Sequence, residues 1–135
     1  MRSAAPCRVV VIDDNEDAAN SLCELLQLMG CEVLVAFDGR EGINAVVSIH
    51  PQVVLCDLGL PGLDGFAVAR ALRDQVGYAT TLVAVTGFAS AADARRAIEA
   101  GFDYHLPKPF DLEQLRSILA LATGSREADA AADPA

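Results

Sequence analysis

Five times along the chain, a short run of apolar, largely β-branched residues is followed by a stretch whose apolar residues recur at helical spacing. That alternation narrows the fold more than any other feature. The runs fall at 8–12, 32–36, 53–56, 81–85 and 104–106. The first helical stretch carries Ala18, Leu22, Leu25, Leu26 and Met29 on one face and closes at Gly30. The second runs from about Arg40, buries Ile43, Val46 and Val47, and stops before Pro51. The third begins near Asp64 and carries Phe66, Ala69 and Leu72. The fourth opens with Ser90 and Asp93 at capping-box spacing and ends at Gly101. The fifth opens with Asp111 and Gln114, spaced alike, and buries Leu115, Ile118, Leu119 and Ala122. Five such units in a row predict an α/β fold, a five-stranded parallel sheet doubly wound with helices on both faces. The segments 9–12, 53–56 and 82–85 are apolar throughout, as strands covered on both sides require. The run at 104–106 is short and has Tyr104 and His105 at its start, so it is the weakest of the five.

A chain of 135 residues has room for one domain, expected at 7–123, with an N-terminal extension at 1–6. The segment 124–135 has no apolar face to bury and is expected to be a disordered tail. With 53% hydrophobic and 21% charged residues, the chain can build a substantial core. Its net charge of −9 argues against nucleic-acid binding, and Glu127, Asp129 and Asp133 place part of that charge in the tail. The apolar runs are too short to span a bilayer, and the N-terminus has no signal-peptide core, so no membrane association is expected. Cys7, Cys23, Cys31 and Cys56 show no Cys-x-x-Cys spacing and no adjacent histidine. Neither a zinc site nor a disulfide framework follows from that, the cysteines read as small buried apolar residues, and a cytoplasmic location is expected.

In a doubly wound sheet, ligands bind outside the carboxyl ends of the strands. Asp13 and Asp14 follow the first run, Asp57 the third, Thr86 the fourth and Lys108 the fifth. Three carboxylates at one end of one sheet repel, which is relieved either by a raised pKa or by a divalent cation. Oxygen ligands without histidine or cysteine select Mg²⁺, or Mn²⁺, over zinc. Lys108 adds a second positive charge and Thr86 a hydrogen-bond donor. Together these groups are the equipment for phosphoryl transfer, with a carboxylate attacking in line. Taken singly, each has a plainer reading: Asp14 or Asn15 as a helix cap, Asp13 as a turn former, Thr86 as a strand-end residue. Lys108 stands between Pro107 and Pro109, where its backbone is restricted and a cis bond is admitted. The joint pattern decides for the chemical reading.

Four segments then resemble the receiver domain of two-component response regulators, over roughly residues 8–123. Val-Val-Val-Ile-Asp13-Asp14-Asn15 resembles that family's acidic pair, and Val-Val-Leu-Cys-Asp57-Leu-Gly-Leu-Pro-Gly-Leu-Asp-Gly its phosphorylation segment. Val-Ala-Val-Thr86-Gly resembles the switch-threonine segment and Leu-Pro-Lys108-Pro-Phe the lysine–proline motif. The resemblance implies a flavodoxin-like sheet of order 2-1-3-4-5. It implies that Asp57 takes a phosphoryl group from the phosphohistidine of a sensor histidine kinase or histidine phosphotransfer protein. Asp14 would bind Mg²⁺ directly, Asp13 mainly through water, and Asp57 and the Gly59 backbone carbonyl would complete its protein ligands. Lys108 would pair with the acyl phosphate, and Thr86 would turn inward to it. The family couples that turn to an aromatic residue three before the lysine; here His105 stands there, a departure that weakens the switch or makes it pH-sensitive. Tyr104 should face the other way. Gly59, two after Asp57, and Phe88, two after Thr86, offer no side chain to orient a hydrolytic water, so hydrolysis should be unassisted.

The segments look most like receivers found with hybrid sensor kinases, which implies phosphorelay work or docking through helix four, strand five and helix five. The chain would then be no enzyme beyond its own phosphorylation and slow dephosphorylation. The alternative is a phosphate-independent interaction module of the same fold. An aspartyl phosphatase would need a second acid where Gly59 stands.

Overall fold

The computed structural model describes residues 7–60, 64–77, 79–87 and 91–123. Ten elements alternate along it: β1 (Arg8–Ile12), α1 (Glu16–Leu28), β2 (Glu32–Ala36), α2 (Gly39–Ile49), β3 (Val53–Asp57), α3 (Gly65–Val76), β4 (Thr81–Thr86), α4 (Ala91–Ala100), β5 (Tyr104–Pro107) and α5 (Leu112–Ala122). The five strands form one parallel sheet of order β2-β1-β3-β4-β5, the flavodoxin-like topology. The order reverses at β1, which lies between β2 and β3, so α1 crosses one face of the sheet and α2 the other.

Alternation along the strands divides the core in two. Val10, Ile12, Val54, Cys56, Leu82 and Ala84 point to one face and pack with Val46 of α2, Phe66, Val68, Ala69 and Leu72 of α3, and Ala97 and Ala100 of α4. Val9, Val11, Val53, Leu55, Val83 and Val85 point to the other and pack with Ala19, Leu22 and Leu26 of α1 and Leu115, Leu119 and Ala122 of α5. The uninterrupted apolar character of β1, β3 and β4 follows directly, because both faces are covered.

Helix ends are set by side chains. Asn15, Asp38, Asp64 and Asp111 cap α1, α2, α3 and α5, and the expected capping box of Asp111 with Gln114 is present. The α2 helix ends at His50, held in the left-handed region at φ 49° just before Pro51. The Ser90 end of the fourth expected capping box lies outside the described residues, as do the N-terminal extension, Phe88 and the tail.

Three details differ from the sequence reading. The buried stripe of α1 is Ala19, Leu22 and Leu26, whereas Leu25 is 37% exposed. The contact is centred on Ala19, Leu22 and Leu26, so the helix is turned toward that side of its apolar stripe and Leu25, at the other margin, stays partly in solvent. Val47 of α2 is likewise 37% exposed, while Val46 is buried. Of the four cysteines only Cys56 is buried; Cys7, Cys23 and Cys31 are partly exposed. Among the described residues, no helix is long and apolar enough to cross a membrane.

Candidate functional site

Asp13, Asp14, Asp57, Thr86 and Lys108 lie at the carboxyl end of the sheet, two of them as the last residues of strands. Asp57 ends β3 and Thr86 ends β4. Asp13 follows β1 and keeps its amide in the sheet, donating to Ala36 O at 3.0 Å, which leaves the acid buried at 6% exposure. Its Oδ1 accepts from the Asn15 amide at 3.0 Å. Asn15 in turn accepts from Ala18 N and caps α1, so the capping role that Asp14 might be given belongs to its neighbour. Asp14 is exposed.

One carboxylate oxygen each from Asp13, Asp14 and Asp57 lies within 4.8 Å of the others. The Lys108 ammonium is 3.7 Å from Asp13 Oδ2, and its side chain keeps 35% exposure. The Lys108 amide donates to Thr86 O at 2.7 Å, and the Lys108–Pro109 peptide is cis. The Thr86 bond ties the Lys108 backbone to the end of β4. Asp57 Oδ1 accepts from the Gly59 amide at 3.2 Å. Burial pushes the Asp57 carboxyl above its usual range; the Gly59 hydrogen bond opposes this, the Asp13 charge adds to it, Lys108 opposes it, and Asp14 adds again.

Thr86 is buried at 6% exposure and comes one residue after Val85, the register partner of Asp57. His105 pairs in register with Ala84, on the face covered by α2, α3 and α4, and its Nε2 is buried without a hydrogen-bond partner. Tyr104 packs against the opposite core, as alternation requires. Beside the acids opens a cleft of about 490 Å³, walled by Ala18, Leu22, Val85, Pro109 and Phe110 with Asp13, Asp57 and Lys108 among its lining.

One residue that matters here was not singled out from the sequence. A Cβ on Gly65 would lie 2.6 Å from Asp57 O and 2.7 Å from Leu58 Cα. The start of α3 therefore rests directly on the backbone of Asp57, which only glycine permits. The signal available was Asp64-Gly65 at a helix start, and it carried no hint of which backbone lay opposite.

The donor set suits a hard divalent cation. It is made of carboxylate oxygens, and no imidazole or thiol belongs to the cluster. With a lysine and a threonine hydroxyl carried on neighbouring strands, the arrangement offers an oxygen nucleophile, positive charge and a donor at one place, as phosphoryl transfer requires.

Residues 9–120 match the family described as response regulator receiver domain. The response regulator MprA of Mycolicibacterium vanbaalenii is 37% identical over 110 residues, covering 82% of this chain and 47% of that protein. MprA of Mycobacterium bovis is 34% identical over 125 residues, covering 92% of this chain and 54% of that one. The chain thus spans about half the length of the curated relatives it matches. Among solved structures, the chemotaxis protein CheY4 of Vibrio cholerae superposes with a TM-score of 0.83 at 28% identity, over 87% of this chain and 99% of that one. The receiver domain of a Pseudomonas aeruginosa sensor histidine kinase, with a magnesium ion in its active-site cleft, superposes with a TM-score of 0.82 at 28% identity, over 90% of this chain and 100% of that one. Topology, acidic cluster and sequence agree, and the chain belongs to the response regulator receiver domain family.

Proposed function

We propose that the chain, as a receiver domain over 7–123 flanked by 1–6 and 124–135, takes a phosphoryl group onto Asp57 from the phosphohistidine of a sensor histidine kinase or a histidine phosphotransfer protein. The observation that carries this reading is the approach of the Asp13, Asp14 and Asp57 oxygens to within 4.8 Å, with Lys108 at 3.7 Å from Asp13. The Gly59 amide donates to Asp57 Oδ1 and helps hold the carboxylate in place for attack on phosphorus. As the new O–P bond forms, the P–N bond of the donor breaks and the imidazole leaves with its electron pair.

Asp14 would hold Mg²⁺ directly, or Mn²⁺ in its place, Asp13 mainly through water, and Asp57 and the Gly59 carbonyl would complete the protein ligands. Bound there, the cation supplies positive charge against the phosphoryl oxygens. Lys108 supplies the second charge by turning from Asp13 to the acyl phosphate. Thr86 then swings its hydroxyl to the phosphoryl group, and His105, on the adjacent strand, fills or vacates the space that this turn requires. Hydrolysis proceeds without side-chain help at Gly59 and Phe88, so the signal is passed on by phosphotransfer or by docking. The docking face lies across α4, β5 and α5, where Ile98, Leu112 and Leu121 are 56%, 44% and 47% exposed. The domain works in the cytoplasm with protein partners rather than nucleic acid or membrane.

The test is intact mass after incubation with a small acyl phosphate and Mg²⁺, beside the Asp57→Asn variant. A single phosphoryl adduct on the wild type, absent from the variant and abolished by a chelator, is expected. An adduct that persists in Asp57→Asn, or no adduct with either the small donor or a phosphohistidine protein, would overturn the assignment.

A further inference from the structure

At the opposite end of the sheet from Asp57, two of the partly exposed cysteines come together. Cys7 and Cys31 each stand one residue before paired strands, since β1 and β2 begin their register at Arg8 and Glu32. The Glu32 amide donates to Cys7 O at 2.8 Å, which fixes the two backbones side by side. Both side chains turn to the same face and pack against the α1–α5 core. The register that pairs Arg8 with Glu32 sets Cys7 beside Cys31, just ahead of the adjacent strand. Together with Met29, Arg116, Leu119 and Thr123 they line a cavity of about 400 Å³ that opens to solvent. Nothing in the phosphoryl-transfer chemistry uses them.

We infer that Cys7 and Cys31 are a dithiol pair which low-molecular-weight disulfides oxidise to an intramolecular disulfide across the N-terminal edge of β1 and β2. Neighbouring backbones, a shared face and a common cavity are the arrangement such a bond demands. The neighbouring Cys7 side chain partly opposes the rise that burial imposes on the Cys31 thiol, which makes Cys31 the attacking sulfur. It displaces one thiolate from the reagent and forms a mixed disulfide. Cys7 loses its proton, attacks the Cys31 sulfur and expels the second thiolate. The pair is oxidised by two electrons, the reagent is reduced to two thiols, and these carry off the two protons. Burial pushes the Cys7 thiol up to about 12 and raises that of Cys31, so the exchange is slow at neutral pH and quickens as pH rises.

The experiment treats the native full chain with oxidised glutathione at mildly alkaline pH, then determines intact mass and a non-reducing peptide map. The expected result is a loss of two hydrogens, a Cys7–Cys31 cross-linked peptide, and full reversal by dithiothreitol. The Cys23→Ser variant behaves as wild type, and Cys7→Ser stops at a glutathione adduct on Cys31. Persistent adducts on both thiols of the wild type, a cross-link to Cys23 or Cys56, covalent dimers, or no reaction would each overturn the inference.

Discussion

Replacing Gly65 by alanine tests whether α3 holds the Asp57 strand in place. The added Cβ would sit 2.6 Å from Asp57 O and 2.7 Å from Leu58 Cα, both backbone atoms, against the 3.4 Å of an ordinary contact. Either α3 or the Asp57–Leu58 backbone must therefore move by about 0.8 Å, the difference between 3.4 and 2.6. Overpacking of this kind costs about 1–3 kcal/mol. At a urea slope of about 2 kcal/mol per molar, that lowers the unfolding midpoint by about 0.5–1.5 M. The shift also displaces Asp57, whose carboxylate attacks phosphorus in the proposed reaction. Since a misplacement of about 1 Å costs roughly 100-fold in rate, phosphorylation by a small acyl phosphate should slow by about 10- to 100-fold. The sign of the stability change is diagnostic, because alanine in an unobstructed helical position would stabilise by up to about 1 kcal/mol. A Gly65→Ala variant with an unchanged or raised midpoint and the wild-type phosphorylation rate would refute the close approach and its role in placing Asp57.

The Arg73 guanidinium, 9% exposed, donates to Gly77 O, Thr80 O and Gly101 O at 2.8 Å and to Asp103 Oδ2 at 2.7 Å. Arg73→Met should cost about 3–5 kcal/mol, the price of leaving such a pair broken, and Arg73→Lys less; equal midpoints for the two in urea would refute it. Asp57→Asn, in metal-free buffer, should raise stability at neutral pH. The folded state holds the Asp57 proton more tightly than the unfolded state, so ionising it costs stability above the raised pKa and costs nothing below the ordinary carboxylate value. The gap between variant and wild type should therefore close as pH falls, and Mg²⁺ should narrow it at neutral pH by stabilising the wild type; thermal melts across pH that run parallel would contradict this. Asp111→Ala removes the side-chain acceptor of the Gln114 amide from the α5 capping box, while the amide of residue 111 still donates to the Gln114 side chain, and should lower stability by about 1 kcal/mol without changing the phosphorylation rate.

Much of this molecule can be read along the chain because its signals are local. Apolar runs and helical stripes mark all ten elements, since burial on two faces demands continuous apolar strands and burial on one face demands a helical period. Asp111 and Gln114 announce a helix start because capping is settled within one turn. Asp13, Asp14, Asp57, Thr86 and Lys108 could be grouped before any coordinates, because parallel strands all deliver their carboxyl ends to the same edge. Other features depend on contacts between segments far apart in the chain. The rotation that buries Leu26 and leaves Leu25 exposed is set by where α1 meets the sheet, not by its own composition. Asn15, rather than Asp14, is the cap, a choice among adjacent polar residues that only the path out of β1 makes. The need for glycine at 65 arises from the Asp57 backbone on a neighbouring element. Cys7 and Cys31 look like unrelated small residues in a linear reading, and strand register alone makes them neighbours. Local propensity and periodicity thus carry the elements and the edge where chemistry gathers, whereas the contacts that tune that chemistry come from long-range packing, which has no counterpart in residue spacing.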